Sequence, residues 1–381
     1  MTNDVDGWKV RPASWPETFA GAPEHGGDLW GAARRLGCDP REVLDLSASL
    51  NPLGPPPGLG EVLGEALELI CHYPDRYNLE LREALAGHLG VEPANILPGN
   101  GSTALIRLLA RALDLKTILV LAPSFGEFPR ALAIAGRHFH YHMLPDQDGF
   151  VPREEDLAEM WEAEPSCLIL TNPSTPAGAA WDRGVLEQLL HQARRRRCWV
   201  VMDEAFIDFV SADDAAWSPP LVQEDPRLLI LRSLTKFYCL AGLRLGCLVG
   251  HSSTIAELAP LGEPWSVNTL AQRAGVYCLE QKDYAEQTRR VVARWREAQA
   301  RSLKDLGLRV YPSRANYLLV ELPDQGPSAA RVAESCARQG VLLRDCANFP
   351  GCHDHHLRLA VAPPEDQDRL LEVLPAALQG D

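Results

Sequence analysis

The stretch "RSLTKFYCLAGLRLGCLVG" (Arg232 to Gly250) holds one lysine, Lys236, between a Ser-Leu-Thr turn and a run of Leu, Ala and Gly, with Arg244 eight residues on. A lysine displayed only for solubility needs no such frame. An amine that must shed its proton to attack a carbonyl does, because apolar surroundings and a neighbouring cation both disfavour the ammonium form. Three other strand-like runs also end in polar residues. "CLILTNPSTPAG" ends with Asn172 in a turn, and "WVVMDEAFIDF" ends with Asp203 and Glu204. "ILPGNGSTALI" reads as a strand, a Gly-rich turn and a helix start, where free backbone N–H groups can hold a phosphate. Its G-x-G lacks the third glycine of a dinucleotide fingerprint, and the chain has no G-x-x-x-x-G-K-[ST] to make "VVMDEA" the acidic strand of an ATPase.

Such residues need a scaffold that brings strand ends together. From about residue 60 to 250, helical patterns such as "LELREALAGHLG" and "STALIRLLARAL" alternate with short apolar strands at 117–122, 138–143, 167–171, 198–203, 228–232 and 245–250. Continuous apolar strands alternating with helices predict an α/β domain with a mostly parallel sheet covered by helices, and ligands then bind at the carboxyl ends of the strands. A long helical stretch over roughly 268–306 follows. Beyond it "LRVYPS", "NYLLVEL", "VLLRDC" and "HLRLAV" read as strands, with helices at 327–338 and 365–377, a smaller α+β domain. Residues 1–60, rich in Gly and Pro, read as an arm that joins the small domain and the substrate site. The large domain is expected over 61–285 and the small domain over 286–381.

Bulk properties narrow the partners. The 381 residues are 46% hydrophobic and 23% charged, with a formal net charge of −14. That balance argues against nucleic acid and anionic membranes as partners, while a few buried arginines can still make a local anion site. The N-terminal "MTNDVDGWKVRPASW" has no apolar core, and no run approaches the ~20 residues of a membrane helix, so a cytoplasmic protein is expected. The ten cysteines lie singly, mostly in apolar runs, and read as reduced core residues. The run "RRRR" (194–197) reads as cations ending a helix. "CHDHH" (352–356) reads as a polar loop and no metal site is expected, its side chains being too close together for an ordinary tetrahedral set.

Asn-Pro-x-x-Pro-x-Gly at 172–178, then Asp203, then Ser-x-x-Lys at 233–236, then Arg244, resembles the fold-type-I pyridoxal-phosphate enzymes of the aminotransferase I/II group, from about His25 to the last helix. The resemblance implies pyridoxal 5'-phosphate as cofactor, Lys236 as the residue that binds it covalently, and Asp203 as the carboxylate that keeps its ring nitrogen protonated. It implies a phosphate nest of Ser102, Thr103, Ser233 and Arg244. Phe125 would stack on the ring and Asn172 bond its phenolic oxygen. Tyr73 would reach a neighbouring subunit's phosphate, which implies a homodimer with shared active sites. One position departs from the group: a tyrosine often follows the aspartate by three residues, and here that position is Phe206.

Within the group, "EHGGDLWGAARRLGCDPREVLDLSASLNPLGPP", "DEAFIDF" and "LLRDCANFPGCHDHHLRLAV" are similar to threonine-phosphate decarboxylases of cobalamin biosynthesis. That likeness implies decarboxylation of O-phospho-L-threonine, a small phosphorylated amino acid. It implies a substrate pocket of His25, Gly26, Asn51, Asn172, Arg344 and Arg358, although Ser49-Leu50-Asn51 stands where Asn-x-Asn is expected. Arginine suits both anions of such a substrate through paired donors. Two alternatives remain: an aminotransferase acting on histidinol phosphate or a similar amine, and a non-catalytic protein that keeps the fold. The presence of Lys236, Asp203, Asn172 and Arg244 weighs against the second.

Overall fold

A computed structural model describes residues 25–113, 115–147 and 149–380. The N-terminal stretch read above for the absence of a leader lies outside them. The strands are β1 (Leu44–Asp45), β2 (Ile96–Asn100), β3 (Ile118–Ala122), β4 (Phe139–Met143), β5 (Cys167–Thr171), β6 (Trp199–Asp203), β7 (Leu228–Ser233), β8 (Leu245–Gly250), β9 (Arg309–Val310), β10 (Tyr317–Glu321), β11 (Val341–Leu342), β12 (Arg344–Asp345) and β13 (His356–Ala360).

Seven strands form one sheet in the order β2-β8-β7-β6-β5-β3-β4. β3 to β7 are mutually parallel, and β8 runs antiparallel to both of its neighbours. β3, β5, β7 and β8 are buried along their whole length, which is why they read as mostly apolar runs without polar alternation. β4 lies at the edge and carries the histidines and tyrosine of "FHYHM". Large apolar clusters cover the two faces, one around Leu168, Met202 and Ile230, the other around Val120, Val201 and Leu231. Neighbouring side chains on one strand thus point into different cores, as a period of two requires. Register aligns the carboxyl ends of β5 and β6, Thr171 opposite Asp203, and sets the carboxyl end of β7 against the amino end of antiparallel β8, Ser233 opposite Gly246.

The small domain is an antiparallel sheet, β12-β13-β10-β9, backed by the helices Ala329–Arg338 and Pro364–Gln379 around Val332, Leu357 and Leu374. The arm belongs with it, since β1 pairs parallel with β11, Leu44 opposite Val341. "VLLRDC", expected as one strand, is two: the chain changes partner at Leu343, leaving β1 for β13. From residue 25 on, the arm also holds more regular structure than its composition predicts. The helix Leu29–Leu36 starts where Asp28 accepts from the Gly31 N–H at 3.0 Å, and ends at Gly37 in the left-handed region (φ 68°). The long helical stretch resolves into Thr269–Glu280 and Lys282–Asp305. The second of these places Val292 in the large core and Leu303 in the small one, so the boundary expected at 285/286 falls within a continuous helix. All ten cysteines are unpaired. Among the described residues no helix is long and apolar enough to cross a membrane.

Candidate active site

The turn after β2 builds an anion cradle. Asn100 precedes the helix Gly101–Ala112 and makes no side-chain cap, so the first-turn N–H groups of Ser102 and Thr103 are not taken by it. Two glycines make room. Gly101 has φ +73°, and a Cβ there would stand 2.6 Å from Nη2 of Arg244. A Cβ on Gly246 would stand 2.9 Å from the Ser102 nitrogen. Ser233 ends β7 beside Gly246, and its hydroxyl does not cap the following helix, Leu234–Phe237. Helix N-terminus, hydroxyl and guanidinium thus converge on a space that only glycines keep open, which is a phosphate's donor set.

Lys236 projects from that one-turn helix. Its side chain keeps part of its surface accessible, but protein atoms crowd the rest. This burial, then the charges of Arg358 and Arg244, pulls its pKa down to about 8 against the opposing pull of Asp203 and Asp45. An appreciable fraction of the amine is therefore neutral near neutral pH. Asp203 is buried, and desolvation lifts its carboxyl to about 6, with Glu204 adding to the rise while the Ala205 N–H (3.0 Å from Oδ1) and Lys236 oppose it. A cation facing Asp203 would hold it ionised, so the pocket is matched to a protonated ring nitrogen. Oδ1 of Asn172 accepts from the Trp181 N–H at 3.1 Å, which turns the NH2 end of the amide the other way. Phe206 lies with its ring 5.7 Å from Nζ of Lys236 and edge-on to Tyr317 at 4.9 Å.

Arg344 and Arg358 are direct cross-strand partners in the β12–β13 ladder. Like charges placed opposite one another destabilise a sheet unless an anion sits between them. Arg344 is buried, donates to Asn348 Oδ1 at 2.8 Å and stacks on Phe349 at 5.3 Å. Arg358 lies over the Tyr317 ring at 5.2 Å and donates from Nη2 to the Ser47 carbonyl at 3.2 Å, while its buried Nε has no protein partner. The arm closes on the same carbonyl: a Cβ on Gly26 would stand 2.2 Å from it, so only glycine fits. His25 tilts against Phe125 at 5.4 Å, and its Nε2 meets Oε1 of the buried Glu127 at 3.0 Å.

The structure thus gathers Ser102, Thr103, Ser233 and Arg244 at one point, Lys236 and Asp203 in electrostatic contact, and Arg344, Arg358, Gly26 and the arm at another. Asn51 turns away from these groups, and Tyr73, expected at a neighbouring subunit's phosphate, lies at the surface of its own. The Asn51 side chain is turned behind Lys236, on the Phe237 carbonyl (2.7 Å) and Tyr284 (2.8 Å). Tyr73 is 80% exposed and lies tilted against Trp265 at 4.8 Å. Trp265 lines a groove of about 1390 Å³ that also reaches Asn100, Thr103 and Arg244. The sequence reading missed Tyr317, Asn348 and Glu127, which hold the expected residues, and Ser49, whose buried hydroxyl has no protein partner. The one available signal was for Ser49, in the departure from Asn-x-Asn.

The "CHDHH" loop brings His353 and His356 within 4.8 Å of Glu321. Their hydrogen bonds close among themselves. His353 Nε2 meets Glu321 at 3.3 Å, Tyr311 bridges Glu321 (3.2 Å) and His356 Nε2 (2.9 Å), and the His353 N–H donates to His356 Nδ1 at 3.1 Å. Arg309 already neutralises the carboxylate at 2.7 Å. Burial, then His353, pushes the His356 pKa down to about 4, so it stays neutral in this network.

The family model for aminotransferase class I and II matches residues 41–374. A threonine-phosphate decarboxylase of Salmonella typhimurium is 35% identical over 362 residues, 93% of this chain and 97% of that protein. An adenosylcobalamin biosynthesis bifunctional protein of Leptospira interrogans is 25% identical over 94% of this chain, which spans 41% of that protein. Among solved structures, the histidinol-phosphate aminotransferase of Clostridium acetobutylicum superposes with a TM-score of 0.80 at 25% identity, covering 88% of this chain and 98% of that one.

Proposed function

The chain belongs to the aminotransferase class I and II family, and on that premise we propose that it is a pyridoxal-phosphate-dependent carboxy-lyase of cobalamin biosynthesis. It converts O-phospho-L-threonine to (R)-1-amino-2-propanol O-2-phosphate and carbon dioxide. The observation that carries this reading is the opposed pair Arg344 and Arg358. O-phospho-L-threonine brings a carboxylate and a phosphate, and two arginines side by side can take both. The likeness to the Salmonella protein supports the same choice over the histidinol-phosphate aminotransferase reading.

Bound pyridoxal phosphate supplies an electron sink for the pair released when the bond to the carboxylate breaks. The protein's own residues do the rest. Ser102, Thr103, Ser233 and Arg244 would hold the cofactor phosphate, and the buried Asp203 carboxylate would keep a ring nitrogen protonated. The neutral fraction of Lys236 would provide the attaching amine, and the same amine, after taking a proton from the substrate's ammonium group, would be able to return it to Cα. Arg344 and Arg358 would hold the substrate's two anions and so fix which bond at Cα is set for cleavage, the bond to the carboxylate rather than the bond to hydrogen. That orientation decides between decarboxylation and transamination. Glu127 holds His25, and Asn348 holds Arg344, in the poses the substrate meets. The exposed apolar side chains Leu67, Leu69, Ile70, Tyr73, Tyr77, Leu79 and Trp265 support a homodimer in which Tyr73 serves the partner's phosphate site. The protein works in the cytoplasm as a small-molecule enzyme.

The test is incubation of purified protein with pyridoxal phosphate and O-phospho-L-threonine, without any keto acid. Catalytic release of carbon dioxide and the phosphorylated aminopropanol is expected, and the Lys236→Ala variant should give neither. Amino transfer from histidinol phosphate to 2-oxoglutarate without carbon dioxide would refute the decarboxylase.

A further inference from the structure

The helix Leu234–Phe237 is a single turn, so its last carbonyls lack the partners a longer helix would give them. The Leu234 carbonyl accepts from the Tyr238 N–H at 3.2 Å and that of Thr235 from the Leu240 N–H at 2.9 Å. The next two, Lys236 and Phe237, are both taken by Asn51. Its backbone N–H donates to the Lys236 carbonyl at 3.0 Å, and its Nδ2 donates to the Phe237 carbonyl at 2.7 Å. Nδ2 also lies 2.8 Å from the Tyr284 hydroxyl and 3.2 Å from Oγ1 of Thr288, both on the long helix that crosses the two cores. Oδ1 accepts from the Leu53 N–H at 3.0 Å, and the Tyr284 hydroxyl donates to the Gly54 carbonyl. Asn51 is 3% exposed, so both ends of its amide are spent inside the protein.

The residues just before it are tied to the small domain. The Leu46 carbonyl accepts from the Ala360 N–H at 2.8 Å, the Ser47 carbonyl from Arg358 at 3.2 Å, and the Leu50 carbonyl from Asn316 at 3.0 Å. A short strap therefore runs from Arg358 to the backbone that carries Lys236.

We propose that Asn51 is a positioning residue for Lys236, fixing the backbone from which the amine projects, and that residues 46–51 tie this position to Arg358. The inference rests on the reading of Lys236 as the cofactor lysine. It differs from a substrate contact at Asn51, because a positioning residue acts before any substrate is present. The amide meets the two demands with separate atoms, Nδ2 donating to the Phe237 carbonyl while Oδ1 accepts from the Leu53 N–H.

The experiment compares wild type with Asn51→Ala and Asn51→Ser, the second keeping an oxygen for the Leu53 turn. Leu374→Ala, deep in the small-domain core, serves as a control of lowered stability. Each is loaded with pyridoxal phosphate alone. The pH midpoint of the bound chromophore's visible band and the rate of borohydride-trapped attachment at Lys236 are measured, followed by kcat and KM. In the Asn51 variants the midpoint should rise, because loosening lets water reach the attached nitrogen, whose protonated form is a cation in the same buried setting beside Arg358 and Arg244 that disfavours the free ammonium. Attachment should slow, and kcat should fall about 100-fold with KM within about threefold, the signature of lost geometry with binding retained. Leu374→Ala should match wild type in all four. Unchanged substrate-free spectra and attachment with a raised KM would overturn the proposal in favour of a substrate contact. The same changes in Leu374→Ala would overturn it in favour of general loosening. A wild-type chain that never attaches the cofactor at Lys236 would sink the cofactor reading along with it, whereas normal attachment in every variant sinks this inference alone.

Discussion

Gly101→Ala is expected to weaken pyridoxal phosphate while leaving phosphate-free pyridoxal nearly untouched. The backbone at Gly101 is left-handed, and the added methyl would stand 2.6 Å from Nη2 and 3.1 Å from Cζ of Arg244. A left-handed alanine costs about 1–2 kcal/mol of stability by itself. The guanidinium must also move, and a charged hydrogen bond to the phosphate contributes about 1.5–3 kcal/mol. If that bond is lost, the dissociation constant for pyridoxal phosphate rises about 10- to 150-fold. Pyridoxal, which lacks the phosphate, should change by less than about threefold on the same grounds. Fluorescence titration of cofactor-free protein with each compound gives the two ratios. Equal losses for both compounds, or no loss for either, would refute the assignment of the Gly101–Arg244 space to the phosphate.

Three further outcomes follow from the geometry. Covalent loading of Lys236 should be half-maximal near pH 8 and fall at lower pH as the ammonium form takes over; in Arg358→Met a cation that disfavours that ammonium is gone, so the midpoint of a stopped-flow loading profile should move up. The opposed arginines should repel in substrate-free protein, so a double-mutant cycle of Arg344→Met and Arg358→Met by denaturant melts at low salt should return an unfavourable coupling of about 0.2–1 kcal/mol; a favourable coupling would contradict their shared facing. If Tyr73 serves its partner, inactive Lys236→Ala and Tyr73→Ala chains mixed during refolding should recover about a quarter of wild-type activity, since half the dimers are mixed and each keeps one intact site; no recovery would place Tyr73 in its own subunit's chemistry.

The cofactor end was legible because each part is local. A strand, a polar residue at its carboxyl end and a turn occupy a dozen residues, and register then aligns them. The arginines were legible as neighbours because β12 and β13 are close in sequence. Other features were hidden by distance. Asn51 reads as part of a motif, but its partners Phe237, Tyr284 and Thr288 lie 186, 233 and 237 residues away, so neighbouring sequence could not say which way it faces. Glu127, 102 residues from His25, looks like any first-turn acid of a helix until the arm folds over it. Composition misled about the arm itself, where Gly and Pro obscured a capped two-turn helix.

The pairing of β1 with β11 sets a timetable for synthesis. Leu44 meets Val341, and the difference, 341 − 44, is 297 residues. At about 5–20 residues per second, roughly 15–60 s separate the emergence of the two strands from the ribosome. The large sheet can assemble in that interval, whereas β1 waits for its partner strand. The contacts of residues 44–51 to the large domain, such as Asn51 on the Lys236 turn, have partners that emerge before Val341.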